Sequence, residues 1–207
     1  MRSSNRRGPA LAALAALLLL PLPAAAADDA AAQRRVIEQT TSDVLAVLAD
    51  DAFDADAKRD RIEAIVYAQV DFETVSRLVL ARNWQRFSEP QQREFREEFK
   101  RHLSRTYGRN IDNYKNERVE IVSDRAEARG DWTVRTKVVR TGGSEDIAVD
   151  YRLRRRDGVW RIIDIIVEGV SLIANFRSQF QEIVAQDGPD HLLELLRSKN
   201  LKSEPIT

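Results

Sequence analysis

The sequence predicts an α+β domain: a curved antiparallel sheet of about four strands with helices packed on one face, enclosing an apolar cavity. Three observations carry this. Apolar residues recur at helical spacing through the first half of the chain, at alternating spacing from Arg118, and at helical spacing again after Gly169. The turns between the alternating segments are short, which makes the sheet a meander. The last alternating segment, Val159 to Val167, is apolar in both classes, with Trp160, Ile162 and Ile166 on one side and Val159, Ile163, Ile165 and Val167 on the other. Such a strand is buried on both faces, or it faces a core on one side and an apolar cavity on the other.

Taken in order, the chain opens with Arg2, Arg6 and Arg7, followed by an apolar run from Ala10 to Leu20. That run is shorter than the roughly 20 residues that cross a bilayer. Pro21-Leu22-Pro23 and the alanines to Ala27 supply a small-residue cleavage region. Residues 1–27 are therefore expected to be a cleaved secretory signal peptide, and residues 28–207 a single domain. Within that domain 28–117 is expected to be mainly helical, 118–168 sheet and 169–207 helical. Removing 27 residues, three of them arginine and none acidic, leaves 30 basic against 33 acidic residues. That balance offers no electrostatic footprint for nucleic acid. The chain has no cysteine, so no lipid is carried on one and the core alone must hold an exported domain together. The expected product is a soluble, exported monomer.

Val36, Ile37, Val44, Leu45 and Leu48 mark a first amphipathic helix, and Ile62, Ile65 and Val66 a second from about Lys58 to Tyr67. Asp71 caps a third, with Phe72, Val75, Leu78 and Val79 on one face. Ser88 and Gln91 form a capping box for a fourth, with Pro90 in the first turn. Phe95, Phe99, Leu103 and Tyr107 then recur every four residues, and Ile111 and Tyr114 extend the row. Val119 and Ile121 begin the sheet, followed by Trp132, Val134, Thr136 and Val138, and by Ile147, Val149, Tyr151 and Leu153. Asp157-Gly158 turns the chain into the last strand. Gly169 ends it, Ser171 caps, and Leu172, Ile173, Phe176, Phe180, Ile183 and Val184 form a long helix that Gly188-Pro189-Asp190 interrupts.

Chemistry is sparse. The two histidines, His102 and His191, sit in charged helical surroundings, and no spacing of ligating residues points to a metal or cofactor. Ser171 lacks the second glycine of a nucleophile elbow and reads as a cap. Asp164 lies in the middle of the apolar strand, on the face of Trp160, Ile162 and Ile166. It reads either as a partner for an arginine or, desolvated, as the general base of a small isomerase or lyase on a cone-shaped fold. Arg152, Arg154, Arg155 and Arg156 make a basic run that serves as a solvated strand end, or docks headgroups or acidic partners.

Asp71-Phe72, Trp84, and the group Ser88, Gln91, Gln92, Arg93, Phe95 and Phe99 are followed by Tyr151-Arg152-Leu153, Trp160-Arg161-Ile162, Asp164, Val167 to Leu172, and Asn175-Phe176-Arg177. In that order the chain resembles the periplasmic phospholipid carriers of the Mla pathway, the MlaC or toluene-tolerance family, over nearly its whole length after residue 27. It departs at Leu80-Ala81-Arg82-Asn83, where the family usually places a leucine-glycine ahead of the tryptophan. The resemblance implies a non-enzymatic carrier that moves phospholipid between outer and inner membranes and keeps the outer membrane asymmetric. It implies exchange with an outer-membrane lipoprotein complex and with an inner-membrane ABC transporter bearing an MCE-domain subunit. The cavity wall is expected at Tyr107, Ile111, Trp132, Val149, Tyr151, Ile163, Ile165, Val167, Val170 and Phe176, with Arg152, Arg154 and Arg156 docking headgroup or partner. A module that binds only protein partners is the third reading.

Overall fold

The computed structural model describes residues 24–108, 114, 116–142 and 145–202. Helices α1 (Ala24–Ala49), α2 (Ala55–Gln69), α3 (Phe72–Leu80) and α4 (Glu89–Tyr107) precede strands β1 (Arg118–Ala126), β2 (Trp132–Val139), β3 (Ile147–Arg156) and β4 (Val159–Val167). A two-residue strand β5 (Val170–Ser171), one more than expected, leads into α5 (Leu172–Lys202). The sheet is an antiparallel meander in the order β1-β2-β3-β4-β5. The expected cleavage after Ala27 falls in the first turn of α1, and residues 1–23 lie outside the described residues.

Local chemistry sets the boundaries. The Asp54 side chain accepts from Ala57 N–H at 2.8 Å and starts α2, and Asp71 accepts from Thr74 N–H at 2.9 Å and starts α3. At Ser88 both halves of the capping box form, with Ser88 N–H donating to Gln91 Oε1 at 2.8 Å. Gln92 then donates to the carbonyls of Trp84 and Phe87, satisfying the 3₁₀ turn Ala81–Arg86 that precedes α4. Ala81, in the glycine position of the resemblance, holds φ 49° and ψ −123°, a conformation that glycine adopts freely and alanine does not. Gly188, at φ 84°, breaks α5 where Gly188-Pro189 predicted it.

The register of β4 corrects the alternation argument. Leu153 pairs with Ile162 but Arg152 pairs with Asp164, so Ile163 is an extra residue in a β-bulge. Cross-strand partners share a face. Ile162, Ile165 and Val167 therefore lie on the face of Leu153, Tyr151 and Val149, and Asp164 belongs to the other class. Val159 and Ile166, paired with Arg156 and Asp150, stay on the other side, while the bulge brings Ile165 and Val167 onto the face of Trp160 and Ile162. All the helices pack against that face. Ile37 of α1 closes over Val134, Leu153, Trp160 and Ile162, while α2 to α5 cover the β4 end. The opposite face is polar, with Arg135–Asp150 at 3.1 Å and Arg154–Asp131 at 2.6 Å.

The main core lies between α3, α4 and α5. Phe95, Phe99 and Phe180 are wholly buried, with ring centroids 5.5 to 5.8 Å apart, and Phe176 sits 5.1 Å from Phe99. Each buried phenylalanine contributes about 1.5–3 kcal/mol by area, and each ring pair about 0.5–1.5 kcal/mol more. Arg177 donates to the carbonyl of Leu78 at 2.8 Å and ties α5 to the end of α3.

Candidate functional site

Where α2 to α5 meet β4 they leave a cavity of about 340 Å³ whose wall is almost entirely hydrocarbon. β4 contributes Ile162, Ile163, Ile165 and Val167; α2 contributes Ile62 and Val66; Phe72, Val75, Phe99, Leu103, Leu172, Ile173 and Phe176 complete the apolar lining. The cavity has a direction. At one end Val70 bridges to Ile162, with Asp71 N–H donating to the Ile162 carbonyl at 3.0 Å. From there α2 and α4 run antiparallel along it: Tyr67 Oη donates to the Lys100 carbonyl at 2.9 Å, Ser104 Oγ donates to Glu63 Oε2 at 2.5 Å, and Gly108 lies against the Arg59 side chain. The far end therefore carries Arg59, Glu63, Ser104 and Tyr107, and Tyr107 and Val167 are both 37% exposed there. Burial raises the Tyr107 hydroxyl above its ordinary pKa, and burial also raises that of Tyr67.

Asp164 is 6% exposed and is held by the start of α5, not by an arginine. Its Oδ2 accepts from Ser171 Oγ at 2.6 Å and its Oδ1 from Ile173 N–H at 3.2 Å. Ser171 Oγ in turn accepts from Ala174 N–H at 3.0 Å. Two otherwise orphaned donors of the first helical turn are thus satisfied, with a carboxylate beside the positive end of the helix dipole. The same chain of contacts makes Ser171 the cap its position predicted.

Of the ten residues expected on the cavity wall, Tyr107, Ile163, Ile165, Val167 and Phe176 lie on it. Trp132 and Tyr151 occupy the correct face of the sheet but sit under α1, packed on the cluster around Ile37. Trp132 donates from its indole N–H to Asp124 at 3.2 Å, and burial pushes the Tyr151 hydroxyl up to about 12. Val149 pairs with Val167 one strand farther out and is not part of the wall, and Val170 is 60% exposed in the turn. Ile111 lies outside the described residues. The contribution of α2 was missed. Arg59, Ile62, Glu63 and Val66 stand at i, i+3, i+4 and i+7, one helical face, and that spacing was the available signal.

Arg154 is clamped by Asp131 through two bonds, at 2.6 and 2.7 Å, and Arg156 lies 3.6 Å from Asp71. The Asp71 carboxyl is held below its ordinary pKa: burial opposes this, but the Thr74 hydrogen bonds and the Arg156 guanidinium outweigh it. Among the described residues there is no cluster of three metal-ligating side chains, and no helix is long and apolar enough to cross a membrane.

The family model described as MlaC protein matches residues 38–198. The chain belongs to the MlaC family. Among MlaC relatives it is 29% identical over 160 residues to the toluene tolerance protein ttg2D of Pseudomonas putida, covering 75% of this chain and 74% of that one. It is 22% identical over 140 residues to the intermembrane phospholipid transport system binding protein MlaC of Haemophilus influenzae, covering 66% of this chain and 64% of the other. The fold matches a solved phospholipid-binding protein from Ralstonia solanacearum, in complex with a phospholipid, with a TM-score of 0.73 at 24% identity. That match covers 82% of this chain and 97% of the other. The motif residues of the MlaC resemblance serve the fold here: Ser88, Gln91 and Gln92 finish helix and turn ends, and Asp164 and Ser171 start α5.

Proposed function

We propose that this chain is a periplasmic carrier that binds phospholipid and shuttles it between the outer and inner membranes, preserving outer-membrane lipid asymmetry. One observation carries the reading: an MlaC-family chain holds a hydrocarbon-walled cavity between its sheet and four helices. Removing a lipid from a bilayer forfeits about 0.8 kcal/mol per methylene, on the order of 20 kcal/mol for two chains. A surface charge pair supplies about 1 kcal/mol or less, so the acyl chains have to be matched by apolar wall. The names of the Haemophilus influenzae relative and of the solved structure support the same ligand class. The chain would be exported by a signal peptide at residues 1–27, with residues 28–207 as one carrier domain, and would exchange lipid with an outer-membrane lipoprotein complex and an inner-membrane MCE-bearing transporter. Arg154 lies on the sheet face away from the cavity and Arg156 beside Asp71 at its Val70 end, so Arg152, Arg154 and Arg156 would face acidic partners, Arg154 contributing least because Asp131 already holds it.

Catalysis by Asp164 has little support, since its carboxylate is engaged in starting α5. The experiment is transfer of a labelled phospholipid between two vesicle populations separated by a dialysis membrane that passes the protein. Transfer that rises with protein concentration, and falls when Val167 is changed to Glu in a folded variant, is the expected result. No transfer above the protein-free control would refute the shuttle.

A further inference from the structure

Of the polar side chains on the cavity wall, Asp164 is engaged by Ser171 and Ile173, and the others gather at the exposed end, Arg59 and Glu63 of α2 with Ser104 and Tyr107 of α4. We propose that Arg59 and Glu63 form a headgroup subsite for a zwitterionic phospholipid, with the phosphodiester on the guanidinium, the ammonium on the carboxylate and the acyl chains directed toward Val70 and Ile162. The assignment rests on the carrier reading and deepens it by naming the orientation and class of the ligand.

Spacing supports it first. Residues i and i+4 on a helix place their side chains about 5–6 Å apart at Cβ, the scale of a headgroup whose phosphate and amine are joined by two carbons. Each group is also suited to its partner. The guanidinium fork matches phosphate oxygens in pairs. One of its partners, Asp56, at 2.7 Å, is 88% exposed in its side chain and so offers a water-screened bond that a phosphate can replace. Glu63 is fixed by Ser104 Oγ at 2.5 Å, and a carboxylate accepts several donors, so capacity remains for an ammonium. Charge balance then selects the class. Among the described residues, Asp56 and Glu63 set two carboxylates beside the Arg59 guanidinium at this mouth. A headgroup with net negative charge adds to that excess, whereas a zwitterion brings a cation for Glu63 with its phosphate.

The test loads the full-length, signal-processed protein from vesicles holding equal amounts of phosphatidylethanolamine and phosphatidylglycerol at low ionic strength, and counts bound lipids by native mass spectrometry. The wild type should retain the zwitterionic lipid over the anionic one by about threefold, the size of one partly exposed charge contact. Glu63→Gln should bring the ratio close to the vesicle composition. Arg59→Gln should lower occupancy by both lipids, and Arg59→Lys should recover part of it. The preference should shrink as salt is raised. A wild type that loads both lipids in the vesicle ratio overturns the subsite and leaves the carrier standing; that measurement needs no variant to fold. A Glu63→Gln protein, folded by circular dichroism, that keeps the wild-type ratio also overturns it. A wild type that loads neither lipid removes the carrier reading and the subsite with it.

Discussion

Replacing Asp164 separates a structural carboxylate from a catalytic one. In Asp164→Ala, Ile173 N–H loses its acceptor, Ser171 Oγ loses the partner that orients it, and the start of α5 loses a buried negative charge. A stranded buried donor costs about 1–3 kcal/mol, and a charge beside a helix N-terminus is worth about 0.3–1 kcal/mol. Ser171 can still cap Ala174, so the sum is about 1–4 kcal/mol. At roughly 2–4 °C per kcal/mol for a domain of this size, the thermal midpoint should fall by about 3–16 °C. Asp164→Asn keeps an oxygen for Ile173 and offers its amide N–H to Ser171 Oγ, so its loss should stay near 1–2 kcal/mol. Urea unfolding followed by tryptophan fluorescence reads both as a shift of midpoint at constant slope. Both variants should still bind phospholipid below their transitions. An Asp164→Asn protein with wild-type stability and no lipid binding would refute the capping account and return chemistry to this carboxylate.

Ala81→Gly should stabilise the domain by about 1 kcal/mol, because it relieves a positive-φ alanine at some cost in unfolded-chain entropy; a lower melting temperature would contradict this. His102 is 1% exposed against Phe176, and burial, helped by Lys199, lowers its pKa from 6.5 to about 4. The folded state holds it neutral, so its contribution is full above pH 6.5 and lost as pH falls from 6.5 toward 4. That loss should approach roughly 3 kcal/mol, and His102→Gln should flatten the stability profile in that window. Phe99→Ala should cost about 3–5 kcal/mol, measured by the same urea titration, since its ring contacts Phe95, Phe176 and Phe180 at once.

The fold was legible because its punctuation is local. Asp71, Ser88 with Gln91, Asp157-Gly158, Ser171 and Gly188 each mark a boundary through a hydrogen bond or backbone preference that one or two residues decide. The cavity was legible only in part because its wall is set by register and packing. A single extra residue at Ile163 moves Asp164 into a different class from Ile162 and places Ile162, Ile165 and Val167 on one face, and alternation cannot foresee a bulge. Trp132 and Tyr151 were placed on the proper face, but which helix covers which part of the sheet is tertiary: α1 claims that area. The α2 face escaped because Arg59 and Glu63 interrupt its apolar stripe, and charges on a helix ordinarily mark its solvent side.

The central claim is that the cavity holds phospholipid acyl chains. Its most direct measurement is native mass spectrometry of protein exported from cells and purified without detergent, before and after incubation with phospholipid vesicles. The account predicts one added mass equal to a phospholipid, lost or strongly reduced when Ile163 is changed to Trp to fill the cavity in a protein that still folds. A protein that emerges empty and takes up no lipid from vesicles, or an Ile163→Trp variant that loads as well as the wild type, would contradict it.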